Sequence, residues 1–208
     1  MIRPALALLA LLALAALLAG CGSAPARAPE AQATAAPRPG GFYKDDGPGD
    51  SPPANLAAIP DAEPKAEPLH RFANNPYNAL GQDFVPYRQI RPYKERGTAS
   101  WYGRKFHGQR TSSGEIYDMY AMTAAHPLLA IPSYARVTNM ANGRSVVVRI
   151  NDRGPFRPGR IIDLSYTAAW KLGYTSAGSA MVEVESIAPE EYPLLAARRK
   201  ENSPRQEN

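Results

Sequence analysis

Between Pro92 and Pro189 apolar and polar residues alternate in short runs broken by turn residues. Ala135 to Met140 alternates with period two, and Arg144 to Ile150 answers it. The Ala141-Asn142-Gly143 segment between them carries the Asn-Gly signal of a hairpin. Asn151-Asp152-Arg153-Gly154-Pro155 ends the second strand, because Gly and Pro there cannot continue a ladder. Gly97 to Gly103 is a β-prone run, Arg160 to Leu164 another, and Met181 to Ile187 alternates so that Glu183 and Glu185 face outward. Phe106 to Glu115 reads as a loop punctuated by Gly108 and Gly114. Ser165 stands where a helix N-cap would, ahead of Ala168, Ala169, Trp170 and Leu172, with Gly173 as the stop. Many short strands, one short helix and frequent glycine turns predict a mainly β domain of about 100 residues closed as a compact barrel. Periodicity leaves the strand topology open.

The flanks differ in composition. Ser23 to Pro68 holds ten of the 21 prolines and few large apolar groups. Such a stretch buries too little surface to offset its ordering entropy, so residues 21–74 are expected to be a disordered linker leading into a domain at 75–189. Residues 190–208 read as a polar tail. At the N-terminus, Arg3 precedes an apolar run from Ala5 to Leu18, too short to span a bilayer of roughly 20 residues. Small residues then lead to Cys21, the only cysteine, which has no partner for an internal disulfide. This pattern resembles a bacterial lipoprotein signal at residues 1–20, with lipidation of Cys21 as its use. Gly22 rather than Asp after the cysteine implies, by the same resemblance, the periplasmic face of the outer membrane. A coil of about 70 residues would reach roughly 45–50 Å from that anchor, as far as the cell wall.

Charge is concentrated in the predicted barrel. Residues 91–189 carry 13 Lys and Arg against 7 Asp and Glu, a balance of +6. In an exported protein this argues against nucleic acid and for an anionic wall polymer or headgroups, although such a charge also keeps a small domain soluble. No His or Cys cluster has metal-ligand spacing and no glycine loop resembles a phosphate cradle, so no metal and no cofactor is expected. The polar groups that remain are Glu115, His126, Asp152 and Asp163. Asp152 projects from the end of a Val-rich strand beside Arg153, where a carboxylate could act on a ligand or simply accept backbone N–H groups.

Several ordered motifs resemble the rare lipoprotein A family. They are Gly97-Thr98-Ala99-Ser100-Trp101-Tyr102-Gly103, Thr111-Ser112-Ser113-Gly114-Glu115, Met122-Thr123-Ala124-Ala125-His126-Pro127, Arg149-Ile150-Asn151-Asp152-Arg153-Gly154-Pro155-Phe156 and Arg160-Ile161-Ile162-Asp163-Leu164-Ser165. Asn75-Pro76-Tyr77 through Tyr87 resembles that family's lead-in. The resemblance implies a six-stranded double-psi β-barrel with one or two short helices. It implies an endolytic lytic transglycosylase that cleaves peptidoglycan glycan strands, preferring peptide-free ones, and leaves a 1,6-anhydro end. It also implies Glu115, His126 and Asp152 as functional residues, Asp152 being the expected acid and base in turn. The sugar's own C6 hydroxyl would serve as nucleophile, at an effective molarity of order 10⁵ M or more. Trp101, Tyr102, Arg153 and Phe156 are candidate substrate contacts. A non-catalytic, expansin-like wall-binding lipoprotein is the alternative. A monomer is expected, without the glycan-binding C-terminal module that many family members carry.

Overall fold

The structure, a computed structural model, describes residues 46–202 of the 208-residue chain. The expected signal segment, Cys21 and residues 203–208 lie outside the described residues. The described strands are β1 (Tyr77–Ala79), β2 (Gln82–Phe84), β3 (Lys94–Tyr102), β4 (Thr123–Ala125), β5 (Ser133–Asn139), β6 (Ser145–Asp152), β7 (Arg160–Ser165) and β8 (Ser179–Ser186). The helices are α1 (Tyr166–Leu172) and α2 (Tyr192–Asn202).

Strands β3 to β8 close a barrel in the order β3-β7-β4-β6-β5-β8, and β1 pairs with β2 outside it. Two of the barrel pairs, β3 with β7 and β4 with β6, are parallel, and the others are antiparallel. Alternation fills the interior as expected. Val137, Val148, Ile150, Ile162, Leu164, Val182 and Val184 are fully buried, while Glu183 turns outward to Arg96 and Lys94. Helix α1 starts where Ser165 accepts a hydrogen bond from the Ala168 N–H and stops at Gly173, whose φ of 80° is cheap only for glycine. Gly154, at φ 126°, turns the chain out of the sheet directly after β6 and leaves Asp152 at the strand's end.

Four features depart from the sequence-based expectation. Strand β4 has only three residues, too few for alternation to register, yet it bridges β6 and β7. The β1–β2 hairpin turns through Leu80 and Gly81, both at positive φ, without the Asn-Gly signal. Residues 192–202, within the expected polar tail, form the helix α2, and Tyr192 packs against Tyr134, with ring centroids 5.6 Å apart, and near Ile187.

The expected linker is the largest correction, since its described part, residues 46–74, lies against the barrel. Leu56 is buried, Asp61 accepts from the Val147 N–H (2.9 Å) and Lys171 Nζ (3.0 Å), and the Ala62 N–H donates to the Val147 carbonyl (3.0 Å). Glu67 is held by Arg149. A few specific polar contacts replace the apolar area that composition led one to require. Asp61→Ala removes an acceptor from a strand N–H and from a lysine, and is expected to lower stability by about 1–2 kcal/mol in urea unfolding. An undocked linker would show no change.

Candidate functional site at the end of strand β6

The Asp152 carboxylate is held in place from one side. Its Oδ1 accepts from the Ser112 N–H (2.8 Å), the Ser112 hydroxyl (2.6 Å) and the Arg153 N–H (2.8 Å). All three bonds fall on one oxygen, which leaves Oδ2 for another partner. The carboxyl is half-buried at the barrel rim, and it faces hydrogen-bond donors.

Glu115 reaches the same strand from the loop between β3 and β4. That loop folds back at Thr111–Glu115, where the Thr111 N–H donates to the Glu115 carbonyl (2.8 Å). The Glu115 carboxylate takes both oxygens to Arg149 Nη1 (2.9 and 2.8 Å) and Oε2 to Asn151 Nδ2 (2.9 Å). Arg149 holds Glu67 on its other side through Nε and Nη2. Two clasps therefore pin the 111–115 turn to β6, one through Ser112 and Asp152, the other through Glu115 and Arg149. They bring Glu115 and Asp152 to one exposed rim.

His126 is different. Its side chain is 1% exposed, behind the rim rather than on it. Its Nδ1 accepts the N–H groups of Leu128 (3.0 Å) and Leu129 (2.9 Å), so the ring proton sits on Nε2 and faces the Tyr93 hydroxyl (3.1 Å). Tyr93 in turn donates to Glu95 (2.6 Å). Burial, with the Arg153 charge adding to it, pushes the imidazole pKa down to about 3. The backbone N–H of His126 donates to the Asp152 carbonyl (3.0 Å), so the residue supports the site without touching what lies in it.

Arg153 is also turned inward. Its guanidinium donates to the carbonyls of Ala73 (3.0 Å), His126 (2.9 Å) and Leu129 (2.6 Å) and to Asn74 Oδ1 (2.8 Å). Burial lowers its pKa to about 10, which still leaves it charged at neutral pH. This arrangement corrects its expected place as a substrate contact. Tyr102 is 8% exposed and stacks on Tyr117 at 4.0 Å, so it forms the floor and not a free platform. Trp101, on the opposite face of β3 by alternation, packs edge-on against Tyr166 and donates from Nε1 to the Thr175 carbonyl (3.2 Å). Phe156 stands at the rim, within 6.0 Å of Tyr77 and 5.6 Å of Phe84, which stack on each other at 5.1 Å. The lead-in hairpin thus supplies an aromatic wall that strand periodicity did not reveal.

Ser112 and Arg149 were missed as site residues. An arginine alternating with valines in β6 was the available signal for Arg149, since such a charge needs a partner. Among the described residues no three His, Cys, Asp or Glu side chains cluster as metal ligands. One cavity of about 280 Å³ is lined by Gly49, Arg104, His107 and Tyr120, and another of about 330 Å³ by Pro60, Pro64, Val147 and Leu195. Neither includes Asp152 or Glu115, which lie on open surface.

A family model described as lytic transglycolase matches residues 94–184, the span from β3 almost to the end of β8. The protein named endolytic peptidoglycan transglycosylase RlpA from Vibrio cholerae is 50% identical over 173 residues, covering 82% of this chain and 60% of its own. Over that span the barrel is similar to members of the rare lipoprotein A family. Its counterpart of the same name from Pseudomonas aeruginosa is 56% identical over 135 residues, 65% of this chain and 39% of that protein. The chain spans less than two thirds of the length of these curated relatives. Among solved structures, the Streptomyces papain inhibitor aligns with a TM-score of 0.38 at 20% identity, over 46% of this chain and 96% of its own.

The buried, neutral His126 has a consequence for stability. In the unfolded chain a histidine binds its proton below about pH 6.5, whereas in the fold it does so only near pH 3. Between those values the unfolded state holds the extra proton, so stability falls as pH falls, by up to about 1.4 kcal/mol per unit. From pH 7 to 4.5 the wild type is expected to lose about 2–3 kcal/mol more than His126→Asn, as read by urea unfolding at the two pH values. Equal losses would contradict the buried neutral ring.

Proposed function

We propose that this protein is an endolytic peptidoglycan lytic transglycosylase acting on peptide-free glycan strands at the β-1,4 bond between N-acetylmuramic acid and N-acetylglucosamine. The observation that carries the reading is the rim carboxylate of Asp152, anchored through one oxygen and open at the other, beside Glu115 on exposed surface. A long polymer needs an open surface if it is to be cut internally. The names of the relatives and the family model support the same chemistry.

The reaction needs no water as nucleophile. The C6 hydroxyl of the muramic acid residue attacks its own C1, and the attack is intramolecular, so orientation supplies much of the rate. The Asp152 carboxyl gives its proton to O4 as the C1–O4 bond breaks with its electron pair on O4, and Oδ2 then takes the C6 hydroxyl proton as the O6–C1 bond forms. Glu115, paired with the Arg149 cation and hydrogen-bonded by the Asn151 amide, orients the sugar hydroxyls at the rim. His126 and Arg153 are positioning residues, since they hold the backbone from which Asp152 projects. The aromatic wall of Tyr77, Phe84 and Phe156 offers an apolar face to a sugar ring. Lipidation at Cys21 places the domain on the periplasmic face of the outer membrane, within reach of the wall.

Asp152→Asn is expected to lower release of 1,6-anhydro ends from peptide-free glycans by about 100- to 10,000-fold, measured by mass spectrometry of the products. Intact strands from the wild type after long incubation would favour a wall binder, and reducing ends without anhydro products a hydrolase. Cys21→Ala is expected to move the protein from the membrane fraction to the soluble periplasmic fraction on cell fractionation. Unchanged sedimentation would count against the lipid anchor.

A further inference from the structure

The barrel face that carries Asp152 is electrically divided. Arg149 and Asp152 on β6 pair with Thr123 and Ala125 on β4, and Ala125 pairs in turn with Asp163 on β7. Thr123 and Ala125 are alternate residues, and paired residues point the same way, so all five share one face. The irregularity between Ala124 and Ala125 lets Arg149 and Asp152 do so although they stand three apart. At the β6 end, Arg149 stands between two carboxylates. Glu67 accepts from its Nε and Nη2, and both oxygens of Glu115 accept from Nη1. Negative charge is therefore in excess there, and an anion is repelled.

At the β7 end the balance is reversed. The turn that leads into β7 starts at Arg157, whose carbonyl accepts from the Arg160 N–H (3.3 Å), and passes through Gly159 at φ 82°. Arg160 lies across the face: Nη1 donates to Ser100 Oγ (2.9 Å) and Nη2 to Asp163 Oδ2 (3.0 Å). Its side chain is 28% exposed, against 15% for Asp163. Burial pushes the Asp163 pKa up to about 6, while Arg160, a Ser100 hydrogen bond and Arg157 pull it down. Two cations thus act on one carboxylate at this end, about 10 Å from Asp152 between the Cα positions of the two aspartates. Phe156 precedes Arg157 directly, so the aromatic wall and the basic turn adjoin. Arg153, the other arginine at this strand end, is spent on buried acceptors.

A peptide-free glycan strand carries one anionic group on each muramic acid, the free carboxylate of the lactyl ether at C3. In a peptide-bearing strand that carboxyl is an amide and has no charge. The C3 group sits on the same sugar as the reacting C1. We infer that the Arg157–Arg160 turn recognises the free lactyl carboxylate, so that it selects peptide-free strands by charge and fixes the direction of the strand across Asp152. The inference rests on the transglycosylase reading above and names the residues that set its substrate. The muramic acid lies toward β7 and the N-acetylglucosamine toward Glu115. A guanidinium meets a carboxylate with parallel N–H bonds, and Ser100 and Asp163 hold that of Arg160 in place beforehand, so little ordering is lost on binding. The excess negative charge around Arg149 disfavours the reversed strand.

The test uses the full-length protein and three forms of one substrate. These are peptide-free glycan strands, the same strands with their lactyl carboxylates converted to primary amides by carbodiimide and ammonia, and peptide-bearing strands. Release of 1,6-anhydro ends is followed by mass spectrometry. The wild type is expected to lose about 10- to 100-fold in kcat/KM on amidated strands, although the amide nearly matches the carboxylate in shape. Arg160→Gln is expected to fall by a similar factor on carboxylate strands and to cleave the two forms with kcat/KM values within about threefold of each other. Arg157→Gln is read by the same ratio, in which a folding defect common to both substrates cancels, and convergence in either variant supports the inference. A wild type that cleaves carboxylate and amidated strands alike but refuses peptide-bearing ones excludes by bulk. That result overturns the inference and leaves the transglycosylase reading in place. Retention of the wild-type ratio by both variants would overturn it too. A wild type that yields no anhydro ends from any of the three overturns the transglycosylase reading itself, and this inference with it.

Discussion

The guanidinium of Arg153 is the tie on which the site depends. It follows Asp152 directly and turns inward, where it gathers carbonyls from the lead-in segment and from the turn after β4. Asn74 adds its side-chain oxygen to that set, accepts from the Ile131 N–H and donates to the Ile131 carbonyl. A buried cation with no carboxylate against it is costly unless its donors are met, and here backbone dipoles meet them. The turn fixed in this way carries His126, whose own N–H holds the carbonyl of Asp152. One side chain thus links three segments of the chain, and the Asp152 carboxylate projects from the place where they join.

Above that tie the rim is assembled by opposed charges. Arg149 stands between Glu67 from the segment preceding the barrel and Glu115 from the loop after β3. The hydroxyl and N–H of Ser112 secure the same loop to Asp152. A loop that carries function is usually the least constrained part of a fold. This one is fastened at two points to a barrel strand, and Tyr117 and Met119 anchor it further by packing over Ala125. The geometry suits the proposed grip on a flexible polymer, firm without closing over it.

Much of the barrel could be read from the residues because its interior is set by alternation. The valines of β5, β6 and β8 and the caps of α1 declare themselves locally. The position of Asp152 at a strand end was legible for the same reason, since Gly154 and Pro155 mark the break. Less visible were features held by contacts far apart in sequence. Nothing local distinguishes Asp61 or Glu67 from other charges in a proline-rich stretch, yet each finds a partner on the barrel. The burial of His126 and Arg153 was hidden because polar side chains satisfied by backbone carbonyls and N–H groups leave no mark in composition. Alternation could have separated Trp101 from Tyr102, for adjacent strand residues do not line one face.

The docking of residues 46–74 also redraws the boundary of the domain. The span that matches the family model, 94–184, contains the barrel strands except the last two residues of β8, but neither Glu67 nor Asn74 nor the Tyr77–Phe84 stack. Cut at those limits, the barrel would keep the Arg153 cation and forfeit two of its acceptors, and Arg149 would face outward with half its counter-charge gone. The portable unit of this fold is therefore larger than its sheet. The described stretch before the first barrel strand is a working part of the folded unit.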